Sequence, residues 1–91
     1  MVITIPQTSS DYVEKLFFEY NATMNILKYL TTQEGVKPEY IAQYTEDAKN
    51  KYAELEIAKR EISNEYSPYP DKKFNYTFDF DHSAIIYEEQ I

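Results

Sequence analysis

The chain has 91 residues, 43% of them hydrophobic, and its sixteen acidic and nine basic residues give a net charge of −7. A length of this order predicts one small domain, here residues 1–91, and a negative protein repels phosphate backbones, so we expect no direct binding of nucleic acid. The sequence contains no cysteine, which excludes disulfides, thiolate metal sites and cysteine nucleophiles.

The N-terminal third predicts a short strand followed by a helix. Residues 2–5, VITI, are β-branched and stop at Pro6, which favours a strand at the start or edge of a sheet. Asp11 and Glu14 have the spacing of a capping box, and apolar residues then recur at helical intervals. We therefore predict a helix over about residues 11–31.

The predicted first helix carries two apolar faces. One broad stripe runs from Val13 to Leu30. A second stripe, on nearly the opposite side, contains Phe18, Ile26 and Tyr29. Because a helix with two apolar faces normally lies between two other elements, we expect this helix to be the middle layer, with a second helix on one side and a sheet on the other.

The middle of the chain predicts a second and longer helix. Pro38 suits the first turn of a helix, and no helix-breaking residue follows until about Tyr66. We predict a helix over about residues 38–66, whose seven-residue apolar repeat favours an antiparallel hairpin with the first helix over an exposed coiled coil. It would outrun the first helix by about two turns, so its C-terminal end would need cover from the tail or from a partner.

The C-terminal segment has the clearest strand pattern. Residues 74–80, FNYTFDF, alternate aromatic and polar side chains. Residues 84–87, AIIY, form either a further strand after a turn or a continuation past a bend, and we favour the hairpin. The predicted fold class is α+β: an antiparallel two-helix hairpin with a small, mainly antiparallel C-terminal sheet over about residues 73–88, with or without the N-terminal strand.

The strand end DFDHS, residues 79–83, is the stretch that most resembles an active site. It is similar over five residues to the Asp-x-Asp-x-Thr strand end of haloacid-dehalogenase-type phosphatases, with Ser83 where threonine is usual. That fold needs a parallel sheet and further lysine and acidic groups downstream. We therefore expect no such active site.

A metal site in this stretch would draw on Asp79, Asp81 and His82, with Glu88 as a further ligand. On a strand the two aspartates share a face and the histidine starts on the other, so the three converge only if a turn rotates them. The glycine and glutamate spacings of a calcium loop are missing, and His82 is the only histidine. We predict no metal, no cofactor and no catalysis.

The abundance of tyrosine suggests a binding function instead. Ten tyrosines occur with no tryptophan, and tyrosine is enriched in protein interfaces. We predict a non-catalytic protein–protein interaction module, either an accessory subunit or a self-associating component, whose partner is another protein or a copy of itself. The alternative is a small acidic inhibitor or immunity-type protein, related to phages or toxin operons, that blocks a basic nucleic-acid-binding surface on its target.

The tail supplies the candidate contact residues, because a sheet edge beside aromatic side chains is a template for another strand. The predicted partner-binding residues are Tyr66, Tyr69, Tyr76, Asp79, Asp81 and Tyr87. The N-terminal stretch has neither a basic region nor a long apolar run. We therefore expect a cytoplasmic protein that does not engage a membrane.

Overall fold

The computed structural model describes residues 1–90 and contains two long helices and three short strands. In chain order the elements are β1 (Val2–Thr4), α1 (Gln7–Thr32), α2 (Pro38–Glu65), β2 (Phe74–Asp79), a single 3-10 turn (Phe80–His82) and β3 (Ala84–Glu89). The predicted α+β class, with a helical hairpin and a small antiparallel sheet, is confirmed. In the described part of the chain, no helix is both long enough and apolar enough to cross a bilayer.

Helix α1 begins at Gln7, about one turn before the predicted boundary. The carbonyl oxygen of Pro6 accepts hydrogen bonds from the backbone N–H groups of Ser9 and Ser10, at 3.0 and 3.2 Å. The proline that ends β1 therefore also opens the helix. The polar residues before Asp11, which the predicted boundary left outside the helix, form its first turn.

Helix α2 runs beside α1 in the opposite direction and has almost the same length. The two helices contain 26 and 28 residues, so the predicted overhang of about two turns is wrong, because α1 starts earlier than its capping pattern indicated. Pro38 lies in the first turn of α2 as predicted. Gly35, in the loop between the helices, has a φ angle of 80°, in the left-handed region that glycine adopts without a steric penalty.

The sheet has the strand order β1-β3-β2, and both pairs of strands are antiparallel. Strands β2 and β3 form the hairpin that we favoured, and Ser83 takes the left-handed conformation at its turn, with φ 46°. Strand β1 adds to the other side of β3, where the N-terminal amino group of Met1 donates to the carbonyl oxygen of Tyr87 at 2.8 Å. The last strand of the chain is therefore the central strand of the sheet.

The sheet covers one end of the helical hairpin, where α1 begins and α2 ends. Ile62 of α2 and Phe78 of β2 join the two core clusters, one between the helices and one beneath the sheet. The C-terminal tail therefore covers the end of α2. This was one of the two predicted possibilities, the other being cover by a partner. The buried apolar residues of the two clusters are Val13, Leu16, Leu55, Ala58, Ile5, Ile85 and Tyr87.

The predicted middle-layer position of α1 is wrong. Its second apolar face is open to solvent, with Phe18, Ile26 and Tyr29 exposed by 60%, 44% and 63%. The reason is connectivity: β1 pairs with β3 and leads directly into α1, which holds the sheet at the open end of the hairpin. Strands of six residues extend about 20 Å, whereas helices of this length extend about 40 Å, so strands of this length cannot cover the whole hairpin even if they run along it.

Candidate protein-binding edge of the sheet

Strand β2 forms an open edge of the sheet, and its hydrogen-bonding pattern fixes which backbone groups are free. The N–H of Gln90 donates to the carbonyl oxygen of Lys73 at 3.0 Å, which makes these residues a hydrogen-bonded pair in line with the β2–β3 register. Because such pairs alternate along an antiparallel ladder, the odd-numbered residues of β2 bond to β3. Phe74, Tyr76 and Phe78 therefore direct their N–H and C=O groups outward, and no loop or strand within residues 1–90 bonds them there.

The opposite edge of the sheet, formed by β1, is shorter. The N–H of Ile5 donates to the carbonyl oxygen of Ser83 at 2.9 Å, so the odd-numbered residues of β1 face β3. Only Val2 and Thr4 direct backbone groups outward before Pro6 ends the strand. The β2 edge is thus the longer of the two templates for a further strand.

Aromatic side chains line the inner face of the β2 edge. Phe74, Tyr76 and Phe78 are half-buried, and the centroid of the Tyr76 ring lies 6.2 Å from that of Phe74 and 6.1 Å from that of Phe78. On the outer face Asn75 and Thr77 are exposed. The strand therefore has an apolar side against the core and a polar side in solvent, as the alternation in the sequence predicted.

An open recess of about 320 Å3 lies directly under the β2 edge. Tyr76 and Thr77 both line this recess although they belong to opposite faces of the strand, so its mouth is at the edge itself. The other lining side chains come from both helices, from β2 itself and from the turn: Phe17, Leu55, Lys59, Phe78 and Phe80. A side chain of a strand added to β2 would find an apolar site here.

Tyr87 is a core residue and not a partner contact, which corrects one of the predicted positions. Its side chain is fully buried, and its hydroxyl group donates a 2.6 Å hydrogen bond to the carbonyl oxygen of Ser63. Burial, with a smaller contribution from Tyr76, raises the pKa of Tyr87 to about 12. Its position on the central strand, opposite Tyr76 in the β2–β3 register, gives it no access to a partner.

The other predicted tyrosines are spread around the edge. Tyr66 and Tyr69 are half-buried against the core cluster beneath the sheet, and the Tyr69 ring lies 6.4 Å from that of Phe74 at the start of β2. Tyr76 occupies the centre of the open edge. The structure thus brings both Tyr69 and Tyr76 next to Phe74, while Tyr66 packs at the end of α2.

The two predicted acidic residues, Asp79 and Asp81, follow the aromatic residues of β2 along the chain. The Oδ2 atom of Asp79 lies 2.8 Å from Nδ1 of His82, and Asp81 is exposed in the 3-10 turn. At the other end of the strand, Lys72 forms an ion pair with Glu89 at 3.0 Å. Within residues 1–90, no three histidine, aspartate or glutamate side chains are gathered as a metal site would require.

Sequence reasoning missed a second apolar surface, which lies beyond the sheet on the helical hairpin. The rings of Tyr20 and Tyr52 meet across the two helices, with centroids 5.5 Å apart, at a groove of about 400 Å3 that Met24, Leu27 and Ala48 also line. Both helical stripes were visible in the sequence. Their exposure was not, because it depends on where the sheet stops.

Comparisons with known proteins do not assign the chain to a family. No family model matches the sequence, and neither a curated protein nor a solved structure matches the chain.

Proposed function

We propose that this protein is a non-catalytic protein–protein interaction module whose β2 edge accepts an extended strand of another polypeptide. It would act as an accessory subunit or as a self-associating component of a larger assembly. One observation carries the proposal: Phe74, Tyr76 and Phe78 direct unpartnered backbone groups outward along a single edge, beside an apolar recess.

Addition of a strand would use both the outward-facing backbone groups of this edge and the recess beside it. Backbone hydrogen bonds to the added strand supply affinity, and sites for its alternate side chains supply specificity. The recess under Tyr76 and Phe78 is such a site, since its mouth opens at the edge. Aromatic residues are enriched in protein interfaces, and tyrosine is frequent among the residues that contribute most to binding.

The composition is consistent with a protein that works in a reducing compartment. The sequence has no cysteine, and disulfides are characteristic of oxidising compartments. We therefore propose the cytoplasm as the place where this module meets its partner.

A proline at the centre of β2 tests the proposal. Tyr76→Pro removes an N–H group that points away from β3, so it blocks an added strand without breaking a hydrogen bond of the sheet. Tyr76→Ala separates the loss of the ring from the loss of the backbone donor. Thr4→Pro is the matched control, because Thr4 has the same outward geometry on the β1 edge.

The measurement is affinity purification of each tagged variant from the native host, with quantitative mass spectrometry and a melting curve for each protein. We expect the wild type and Thr4→Pro to retain the same partners, and Tyr76→Pro to lose them while remaining folded. Equal recovery of every partner by folded Tyr76→Pro would contradict the proposal.

A further inference from the structure

The charges around β2 are ordered along the strand. Asp71, Lys72 and Lys73 precede it, Asp79 and Asp81 lie at its end, and residues 74–78 carry no charge. Lys72 is paired with Glu89 of β3 at 3.0 Å, so Lys73 supplies the positive charge at this end of the strand. If a second copy of β2 lay alongside in the antiparallel direction, the cationic end of each strand would meet the acidic end of the other. Parallel addition would place lysines beside lysines and aspartates beside aspartates, which is destabilising.

Resting on the function proposed above, we propose that the strand added to β2 is β2 of a second copy of this chain, antiparallel and with the two-fold axis at Tyr76. In this register Tyr76 faces Tyr76 of the second copy, and Phe74 faces its Phe78. All of these residues have outward-facing backbone groups, so each pair exchanges two hydrogen bonds. The two three-stranded sheets become one continuous sheet.

The outer-face side chains match in the same register. Lys73 comes opposite Asp79 of the second copy, in a non-hydrogen-bonded pair whose Cα atoms are about 4.5 Å apart. Asn75 comes opposite Thr77 in the same way. Asp79 bonds His82 through Oδ2, so its Oδ1 atom is available to the incoming lysine.

The inner-face side chains match as well. The register places Phe74 of the second copy beside Phe78, which lines the recess under the edge. Aromatic pairs directly opposite one another across antiparallel strands stabilise the pairing. The three-residue ladder of aromatic side chains on each edge is therefore complementary to itself.

A shift of the register by two residues loses this match. It leaves fewer outward-facing residues opposite each other. In one direction it brings Asp71 opposite Asp79 of the second copy, and in the other it brings Lys73 opposite Asp81, which lies beyond the strand in the 3-10 turn. The arrangement centred on Tyr76 therefore pairs the most backbone groups and places opposite charges together. An edge of this size gives a weak interface, so the dimer is to be sought at concentrations of about 10–500 µM.

Charge reversal at the two ends of β2 tests the register. Lys73→Asp and Asp79→Lys each place like charges opposite each other in the symmetric dimer. We expect each single variant to dimerise at least fivefold more weakly than the wild type in sedimentation equilibrium. An equimolar mixture of the two variants restores both opposite-charge pairs, so we expect it to form a mixed dimer, detected by native mass spectrometry, with wild-type affinity.

The mixture is also the control for folding, since recovery of the mixed dimer shows that both variant chains can adopt the folded state. Lys28→Asp and Glu54→Lys change the net charge by the same amounts at exposed helical positions, and we expect both to dimerise like the wild type. A monomeric wild type at 500 µM, or singly reversed variants that dimerise like the wild type, would overturn the inference.

The outcome separates this inference from the proposed function. A monomeric wild type that retains a partner dependent on the Tyr76 backbone leaves the proposed function standing and makes the added strand that of another protein. Opposite charges on Lys73 and Asp79 would then protect the edge against self-association. A wild type with neither a dimer nor such a partner contradicts both.

Discussion

The hydroxyl group of Tyr87 donates a 2.6 Å hydrogen bond to the carbonyl oxygen of Ser63, and this bond ties the central strand of the sheet to the last turn of α2. Helix α2 ends at Glu65, so the carbonyl oxygen of Ser63 has no partner within the helix. Tyr87 therefore caps the helix from the sheet, across 24 residues of sequence.

Removing this hydroxyl group should measurably destabilise the fold. In Tyr87→Phe the buried carbonyl oxygen of Ser63 loses its donor, and we expect the free energy of unfolding in urea to fall by about 1–2 kcal/mol. Tyr29→Phe is the matched control, because Tyr29 is 63% exposed. A Tyr87→Phe variant as stable as the control would show that the bond does not stabilise the folded state.

The same hydroxyl group should make stability fall at high pH. The pKa of Tyr87 is raised from 10.0 to about 12 in the folded protein. Its contribution is thus fully present below pH 10 and is lost as the pH rises towards 12, because the unfolded chain releases the proton first. The loss is on the order of 2–3 kcal/mol, since each pKa unit corresponds to about 1.4 kcal/mol.

Urea unfolding between pH 9 and 12 checks this prediction against Tyr87→Phe, which lacks the titrating group. We expect the wild type to be the more stable protein at pH 9 and the less stable one near pH 12. If the free energies of unfolding of the two proteins differ by a constant amount over this pH range, the raised pKa of Tyr87 is contradicted.

The exposed face of α1 gives a third prediction. Ile26→Lys should change the free energy of unfolding by no more than about 0.5 kcal/mol, because Ile26 is 44% exposed and outside both core clusters. Val13→Lys places a charge at a fully buried position of the same helix and should prevent folding. Circular dichroism melting curves decide the matter. If Ile26→Lys destabilised the protein as severely, this face of α1 would be buried and the helix would be the middle layer.

Much of the fold was predictable because its signals are local. The alternation in residues 74–80 identifies a strand and its inner face, and the repeat in residues 38–66 identifies the long helix. The start of α1 was missed because two signals compete there, the capping-box pattern at Asp11 and Pro6. In the structure the helix begins directly after the proline.

The candidate site was only partly predictable, because strand order is not a local property. Tyr76 belongs to the open edge and Tyr87 to the core, yet both are tyrosines in similar aromatic or apolar strands. Their difference arises because β1 pairs with β3, which leaves β2 outside. No signal within the residues 84–87 indicates that this strand is central.

Salt dependence distinguishes strand addition from an acidic inhibitor. For association through backbone groups and aromatic side chains, with one exposed pair of Lys73 and Asp79 at each end, the affinity should change by at most about tenfold between 0.05 and 0.5 M salt. In the dimer, salt screens these two pairs but also the repulsion between two chains of net charge −7. An acidic inhibitor bound to a basic surface would weaken far more steeply and associate faster at low salt. Sedimentation of the dimer, or titration calorimetry with the purified partner, at several salt concentrations measures how the affinity depends on salt.

Residue-resolved amide hydrogen exchange of β2 is the most direct test of the central claim, that its edge is open and receives another strand. In dilute protein, we expect fast exchange at Phe74, Tyr76 and Phe78 and slow exchange at Asn75 and Thr77, which bond to β3. Concentrating the protein into the dimer, or adding a partner recovered with it, should slow exchange at the first three residues and leave the other two unchanged. Slow exchange at all five in dilute monomer, or fast exchange at Phe74, Tyr76 and Phe78 in the bound state, would contradict the account.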